Sequence, residues 1–255
     1  IIILLKARGI DHSNAFTTEQ NKISVKDIIL EKEKPMFLRK QKISHAASQL
    51  FSLRDDSFGE LKSQQDLWVS SSIIRAREHM LSAAMNGGFL AVIGESGSGK
   101  SSIRKEMETR IANDHHPITL AKPYMIAAED TDTKGKVLKS NHIAESILSE
   151  IAPGEKLKAS PEGKFRQLHK HLKESHKSGR HVCILIEEAH SLSIATIKHL
   201  KRLHEMETGY TKLLGIILIG QPELLDKLNE RNPEVREVVQ RCEVISIPPI
   251  EEKDI

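Results

Sequence analysis

Residues 94–101 read Gly94-Glu95-Ser96-Gly97-Ser98-Gly99-Lys100-Ser101, and this stretch decides the fold. It fits the pattern G-x-x-x-x-G-K-[ST] at every fixed position. An apolar run over 89–93, bounded by glycines like a buried parallel strand, precedes it, and a predicted helix over 101–113 follows it. Glycines let the backbone N–H groups point at an anion, and the N-terminus of the helix adds its positive dipole end. The stretch therefore predicts a phosphate-binding loop and not an ordinary Gly/Ser turn.

The residue types in this loop suggest how it would hold a nucleotide. Lys100 is expected to reach the β- and γ-phosphates, and the Ser101 hydroxyl is expected to hold Mg²⁺. ATP and Mg²⁺ are therefore the predicted cofactors. The predicted ATP-binding residues are Gly94, Glu95, Ser96, Gly97, Ser98, Gly99, Lys100, Ser101 and Ser102.

Strand and helix signals alternate from about residue 61 onward. Apolar runs that predict strands lie at 89–93, 118–125, 182–186, 213–219 and 244–247. Predicted helices lie at 73–85, 101–113, 141–151, 165–175, 194–208 and 222–228. Five strands alternating with helices predict an α/β domain with a mostly parallel sheet.

Composition excludes several other classes of protein. The 255 residues are 38% hydrophobic and 29% charged, which is typical of a folded chain. Only 4% are aromatic, which disfavours a stacking platform for bases. The net charge of +3 excludes a surface that is basic throughout, but it is compatible with a local basic stripe. Cys183 and Cys242 lie in apolar runs and no run approaches about 18 apolar residues, so we expect buried free thiols, no membrane span and a cytoplasmic protein.

A second apolar strand ends in the paired acids Glu187 and Glu188. Glu187 is expected to hold Mg²⁺ through water, and Glu188 is expected to polarise the attacking water. The alternative is that these acids cap the helix that begins near Ser193. Most P-loop ATPases have Asp where Glu187 stands, which puts the rate of hydrolysis in question. His190, just beyond the acids, is expected to orient the loop.

Polar residues after the fourth strand and before the fifth complete the predicted catalytic set. Gln221 follows the fourth strand and is expected to orient the attacking water, unless it is a plain loop amide. Arg241 is the first candidate, and Arg236 the second, for an arginine that projects into the ATP site of a neighbouring subunit. Each could instead be a surface salt-bridge partner.

The chain is predicted to contain three segments. Residues 1–60 form a helical extension that is either helix-turn-helix-like and reads DNA, or packs on the main domain or a neighbouring subunit. Residues 61–250 form the nucleotide-binding domain. Residues 251–255 begin a lid or linker.

The phosphate-binding loop, the paired acids, the polar strand end and the arginine before the last strand resemble, in this order, the AAA+ ATPases. The resemblance implies a five-stranded parallel sheet of order 5-1-4-3-2, ATP bound at subunit interfaces, and a ring or helical filament of identical subunits. The helical lid of that family should begin near Pro249, so it is either missing or very short, or lies outside these residues.

Four stretches, 51–53, 94–101, 187–190 and 218–224, look like one branch of AAA+. That branch contains the phage Mu B transposition protein, Tn7-like transposition regulators and type II secretion accessory ATPases. The resemblance implies an ATPase that binds double-stranded DNA largely independently of sequence and activates a transposase. The alternatives are a secretion-type accessory ATPase with no DNA role, a nucleotide-dependent scaffold with negligible turnover, and a replication loader or initiator.

Two clusters of cations are the candidate DNA contacts. Lys134, Lys136 and Lys139 lie in a polar loop after the second strand, and the alternative there is a solvated loop. Lys198, Lys201 and Arg202 lie on the predicted helix over 194–208, where a solvated face is the favoured interpretation. Clusters repeated once per subunit would follow the phosphates of a duplex threaded through a spiral.

Overall fold

The computed structural model describes residues 49–50, 70–123, 140–229, 233 and 235–249. The chain divides into two compact units, residues 1–66 together with 255, and residues 67–254. In the first unit the described residues 49–50 are helical. The rest of the predicted extension, the lysines at 134, 136 and 139, and the lid or linker residues 251–255 lie outside the described residues.

The second unit alternates strands and helices, as the sequence predicts. Its helices are α1 (Ser71–Asn86), α2 (Lys100–Asn113), α3 (Ser140–Ile151), α4 (Pro161–Lys177), α5 (Ile194–His204), α6 (Glu223–Lys227) and α7 (Arg236–Val239). Its strands are β1 (Phe89–Gly94), β2 (Ile118–Ala121), β3 (His181–Ile186), β4 (Glu207–Thr208), β5 (Thr211–Lys212), β6 (Leu214–Gly220) and β7 (Glu243–Ile247).

Five of these strands form one parallel sheet in the order β2-β3-β6-β1-β7. Because β4 and β5 pair only with each other, the five strands counted along the chain are in the order 5-1-4-3-2. The predicted fold class and sheet order are therefore confirmed. In this order the phosphate-loop strand β1 lies beside β6, which in turn lies beside the acid-bearing strand β3.

Both faces of the sheet are covered, which explains why its central strands are apolar throughout. Every residue of β1 and β6 is buried. Helices α1 and α2 bury one face of the sheet, and α3, α4 and α5 bury the other. Burial on both sides favours continuous apolar runs over alternating ones. Cys183 and Cys242 are buried free thiols, as predicted.

The boundaries of three elements differ most from the prediction. The helix predicted over 194–208 ends at His204, because the antiparallel hairpin β4–β5 follows and turns at Gly209, where φ is +60°. The strand predicted over 118–125 ends at Ala121. Helix α4 begins at Pro161, ahead of the predicted residue 165, because the Ser160 hydroxyl accepts from Gly163 N–H and caps the helix. Among the described residues, no helix is long and apolar enough to cross a membrane.

Candidate nucleotide-binding site

The phosphate-binding loop connects the end of β1 to the start of α2. Gly97 and Gly99 have φ values of +81° and +90°, a left-handed conformation that side chains other than glycine rarely adopt. Helix α2 begins at Lys100 with Gly99 as its N-cap residue, so its free N–H groups face the loop. This is the strand–loop–helix arrangement expected of a phosphate cradle.

The first glycine of the loop is fixed by close packing against the last strand. A Cβ at Gly94 would lie 2.5 Å from Ser98 Oγ and 3.2 Å from the carbonyl oxygen of Ile247. Gly94 and Ile247 are also partners in the β1–β7 register. The end of β7 therefore supports the base of the loop.

The side chain of Lys100 contacts the backbone of this loop. Its ammonium donates to the carbonyl oxygens of Gly94 at 2.7 Å and Glu95 at 2.6 Å. Ser101, next along the helix, is exposed, and Ser102 is half-buried. The loop thus presents one side-chain cation, the helix N-terminus and an exposed hydroxyl at the same edge of the sheet.

Glu187 follows β3 and reaches the phosphate-loop helix. Its Oε1 lies 2.9 Å from Nε of Arg104, and Arg104 also bonds Glu108 at 2.5 Å. Burial alone would lower the pKa of Arg104, but the bonds to Glu108 and Glu187 outweigh it and raise that pKa. Arg104 therefore remains a cation beside Glu187.

The oxygen donors of Ser101 and Glu187 suit a magnesium ion. Ser101 and Arg104 are three residues apart and so lie on one face of α2. Because Arg104 contacts Glu187, that carboxylate lies close to the turn that carries the Ser101 hydroxyl. Hydroxyl and carboxylate oxygens are ligands that Mg²⁺ prefers, and the bound ion would neutralise phosphate charge. Arg104 was missed in the sequence, because its contact with Glu187 forms only on folding.

Glu188 has an unusual backbone conformation for its residue type. Its φ is +51° and its ψ +34°, and a 3₁₀ turn over Ala189–Ser191 follows it. The Ser193 hydroxyl, and neither carboxylate, accepts from Thr196 N–H at the start of α5. Neither acid thus caps α5, so the alternative interpretation of them was wrong. The Glu188 carboxylate is 63% exposed at the carboxyl edge of the sheet.

Gln221 follows β6, the strand between β1 and β3. Its backbone N–H donates to Nδ1 of His190 at 3.4 Å. Lys227 of α6 donates to the carbonyl oxygens of His190 and Leu192. The segment after β6 is therefore bonded to the turn after β3, which brings Gln221 and Glu188 to one edge of the sheet. Lys227 was not predicted from the sequence. Its hydrogen-bond acceptors are main-chain oxygens, which a residue pattern does not reveal.

The two candidate arginines, Arg236 and Arg241, precede β7 in the chain. Arg241 precedes β7, whose first residue Glu243 pairs with Leu90, four residues before Gly94. At about 3.3 Å per residue this separates Glu243, two residues after Arg241, from the loop by roughly 13 Å along the strand. Arg241 bonds Glu205 of its own chain, and Arg236 is exposed at the start of α7. The Arg241 side chain therefore begins at the end of β7 that is remote from the loop of its own chain.

The candidate DNA-binding residues of α5 differ in their surroundings. The Lys201 side chain is only 16% exposed and contacts both Glu205 and Glu237. Those contacts raise the pKa of Lys201, with the hydrogen bond to Glu237 as the largest cause. Lys198 is half-buried and Arg202 is exposed. Arg202 is thus the most accessible of the three cations.

The sequence matches the AAA domain family over residues 83–228, which is more than half of the chain. General secretion pathway protein A of Aeromonas hydrophila is 25% identical over 195 residues, 76% of this chain and 33% of that protein. This chain thus spans about a third of the length of that relative.

Two solved structures share the fold. Cdc6p from Pyrobaculum aerophilum has a TM-score of 0.56 at 15% identity, over 78% of this chain and 51% of that chain. The ADP form of the Aeropyrum pernix ORC2 protein has a TM-score of 0.50 at 14% identity, over 72% and 48%. Such low identities show a common fold and nothing finer. With the family match, the strand order and the phosphate-binding loop in agreement, the chain belongs to the AAA domain family and is a P-loop ATPase of the AAA+ type.

Proposed function

We propose that this protein is an ATP-dependent, largely sequence-independent DNA-binding ATPase that assembles on double-stranded DNA as a ring or helical filament. By its resemblance to the transposition branch of AAA+, it would activate a transposase there. Lys100 and the P-loop glycines would hold the phosphates of ATP, and Ser101 and Glu187 would hold Mg²⁺. Glu188 and Gln221 would act on the attacking water.

Assembly into an oligomer is supported by the position of the arginines. A developing negative charge on the γ-phosphate is stabilised by an arginine, which in some phosphoryl-transfer enzymes comes from a partner protein. Arg104 is engaged with Glu108 and Glu187, and Arg241 precedes Glu243, which lies roughly 13 Å along the strand direction from the loop. Arg241, or Arg236 as the second candidate, would therefore reach the ATP of a neighbouring subunit.

The single observation that carries the DNA proposal is a stripe of cations on helix α4. We define the α4 stripe as Arg166, Lys170, Lys173 and Lys177. At 100° per residue these four positions fall within an arc of about 60°, and they extend for about 16 Å. The Arg166 and Lys170 side chains are 80% and 68% exposed. A cationic row of this length matches the phosphate backbone of a duplex.

Carboxylates of the same helix do not neutralise the positive charge of this stripe. Arg166 bonds Glu162 at 2.6 Å, and Lys170 lies 3.8 Å from Glu174. Such exposed pairs contribute only about 0–1 kcal/mol, so phosphates can displace them. The apolar residues of α4, such as Leu168 and Leu172, are fully buried in the domain core. The helix therefore has no apolar face to insert into lipid, which favours nucleic acid over a membrane surface.

The α4 stripe adds to the sequence-based candidates for DNA contact. Lys134, Lys136 and Lys139 remain candidates, although they lie outside the described residues. Arg202 and Lys198 on α5 remain candidates as well. Lys201 would first have to release Glu205 and Glu237.

Fluorescence anisotropy of a labelled random-sequence duplex tests the proposal. Binding is measured with ATP, with ADP and without nucleotide, over a range of salt and protein concentrations. We expect cooperative, salt-sensitive binding with ATP only, and none for Lys100→Ala. Equal or absent binding in all three nucleotide states would overturn the DNA proposal and leave the ATPase assignment standing.

A matched pair of double variants tests the α4 stripe within that assay. Lys173→Ala/Lys177→Ala removes two cations of the stripe, and Arg75→Ala/Lys105→Ala removes two exposed cations from the opposite face of the sheet. Loss of two phosphate contacts lowers the slope of log K against log salt by about 1.8. We expect that change for the first variant only. Equal slopes for both variants would exclude the stripe as a DNA contact.

A second candidate function is that of a secretion-type accessory ATPase with no DNA role. Its support is the 25% identity to General secretion pathway protein A over 76% of this chain. This candidate predicts ATP hydrolysis that duplex DNA neither stimulates nor inhibits at any salt concentration. A change of several-fold in phosphate release on adding duplex would argue against it.

A further inference from the structure

His190 lies between the two strand ends that form the catalytic edge. Its Nδ1 accepts from the backbone N–H of Gln221 at 3.4 Å, and its Nε2 lies 3.6 Å from Oε2 of Glu188. Because Nδ1 is the acceptor, a neutral imidazole carries its proton on Nε2, the nitrogen that faces the carboxylate. One side chain thus connects the residue after β6 with the second acid after β3.

The backbone around His190 is held by bonds that do not involve its ring. Lys227 donates to the carbonyl oxygens of His190 and Leu192. The hydroxyl and N–H of Ser191 donate to the carbonyl oxygen of Glu188 at 2.8 and 2.9 Å. The turn is therefore fixed by main-chain contacts, and the imidazole is left to orient what lies beside it.

The end of β6 is packed closely enough on this turn to move with it. A Cβ at Gly220 would lie 3.2 Å from the backbone nitrogen of His190 and 2.9 Å from Cδ2 of Leu224. We therefore expect a displacement of β6 at Gln221 to reach His190 through this close packing and one hydrogen bond. The separation of 3.6 Å between Nε2 and Glu188 exceeds a hydrogen bond, so a shift of a few tenths of an ångström would form one.

We propose that His190 is a positioning residue that couples Gln221 to Glu188. When Gln221 engages the γ-phosphate, the end of β6 moves, the imidazole closes on Glu188, and the carboxylate is directed at the attacking water. Hydrolysis is thereby linked to the presence of the γ-phosphate. This inference rests on the proposed roles of Glu188 and Gln221, and the experiment below separates a failure of those roles from a failure of the coupling.

A double-mutant cycle between His190 and Glu188 tests the coupling. ATP turnover is measured under single-turnover conditions for the wild type, His190→Ala, Glu188→Gln and the double variant. A misplaced catalytic group costs roughly 10- to 100-fold in rate, so we expect His190→Ala to lower the rate at least about 10-fold with KM within about 2-fold. In the Glu188→Gln background the same change should alter the rate less than about 2-fold. His142→Ala, an exposed histidine on α3, is the matched control.

Two conservative variants test separately the contact of Nδ1 with Gln221 and that of Nε2 with Glu188. His190→Asn keeps an acceptor near the Nδ1 position for Gln221 but does not reach Glu188. His190→Gln reaches the Nε2 position and can donate to Glu188. We expect His190→Gln to recover part of the rate and His190→Asn to remain as slow as His190→Ala, with both melting near the wild-type temperature.

The outcomes are distinguishable. Full activity of His190→Asn would show that the ring only stabilises the turn and would overturn the coupling. The same conclusion would follow if His190→Ala lowered the rate by the same factor in the wild-type and Glu188→Gln backgrounds. If Glu188→Gln hydrolyses ATP at the wild-type rate, the assignment of Glu188 itself fails, and the coupling fails with it. If Glu188→Gln is slow and His190→Ala is not, only the coupling fails.

Discussion

Gly215 offers a quantitative test of how tightly strand β6 packs against helix α1. A Cβ at this position would lie 2.7 Å from the carbonyl oxygen of Ala83 and 3.3 Å from Sγ of Cys183. Replacing a strand glycine with alanine ordinarily stabilises a protein by about 0.5–1 kcal/mol. Overpacking against a rigid neighbour costs roughly 1–3 kcal/mol, and a 2.7 Å approach to a backbone oxygen belongs to that class. The second effect is larger, so Gly215→Ala should destabilise the protein by on the order of 1 kcal/mol.

Thermal unfolding followed by circular dichroism measures this effect. A loss of 1 kcal/mol lowers Tm by about 2–4 °C in a protein of this size. Gly215→Val adds more volume at the same point, so its Tm should fall further, although valine favours strands. A Tm above that of the wild type for either variant would refute the close approach of α1 to β6.

Three further predictions follow from individual buried or paired groups. Burial lowers the pKa of His204, whose Nε2–H donates to the Gly87 carbonyl. The unfolded chain therefore binds more protons, and the free energy of unfolding should decrease as the pH falls below about 6.5. His204→Gln keeps a hydrogen-bond donor that does not titrate. In urea titrations at pH 7.5 and 5.5 this variant should therefore lose less free energy of unfolding on acidification than the wild type. An equal loss in the two proteins would contradict the role of His204. Burial raises the pKa of the Cys183 thiol, and burial with Glu243 nearby raises that of Cys242 to about 12. A thiol-reactive dye should label both only on unfolding, and rapid labelling of the native protein would contradict their burial. Arg104→Ala removes a cation that competes with Mg²⁺ for Glu187, so the Mg²⁺ needed for half-maximal fluorescent-ATP binding should fall roughly 2- to 5-fold. An unchanged requirement would argue against Glu187 as a metal ligand.

The strands could be predicted from sequence because burial on both faces of the sheet leaves a simple signature. The apolar runs at 89–93 and 213–219 correspond to Phe89–Gly94 and Leu214–Gly220. The order of the strands depended on the resemblance to AAA+, because apolar runs do not say which strands are neighbours. The hairpin after α5 was missed, since the polar residues 207–212 carry little strand signal and only Gly209 marks the turn.

The residues of the candidate site also differ in whether the sequence could predict them. Lys100 and Ser101 were predictable because a fixed loop pattern places them, whereas Arg104 and Lys227 act through contacts formed only on folding. Nothing in the spacing of His190 from Gln221 indicates that the ring of one accepts from the backbone of the other.

The most direct test of the account is to separate ATP binding from ATP hydrolysis in two variants. Binding of a fluorescent ATP analogue and release of phosphate are measured side by side for the wild type, Lys100→Ala and Glu188→Gln. We expect Lys100→Ala to lose binding. We expect Glu188→Gln to bind ATP as the wild type does and to release phosphate at least about 100-fold more slowly, as for loss of a general base. Phosphate release by Glu188→Gln at the wild-type rate, or undiminished binding by Lys100→Ala, would contradict the assignment of the site.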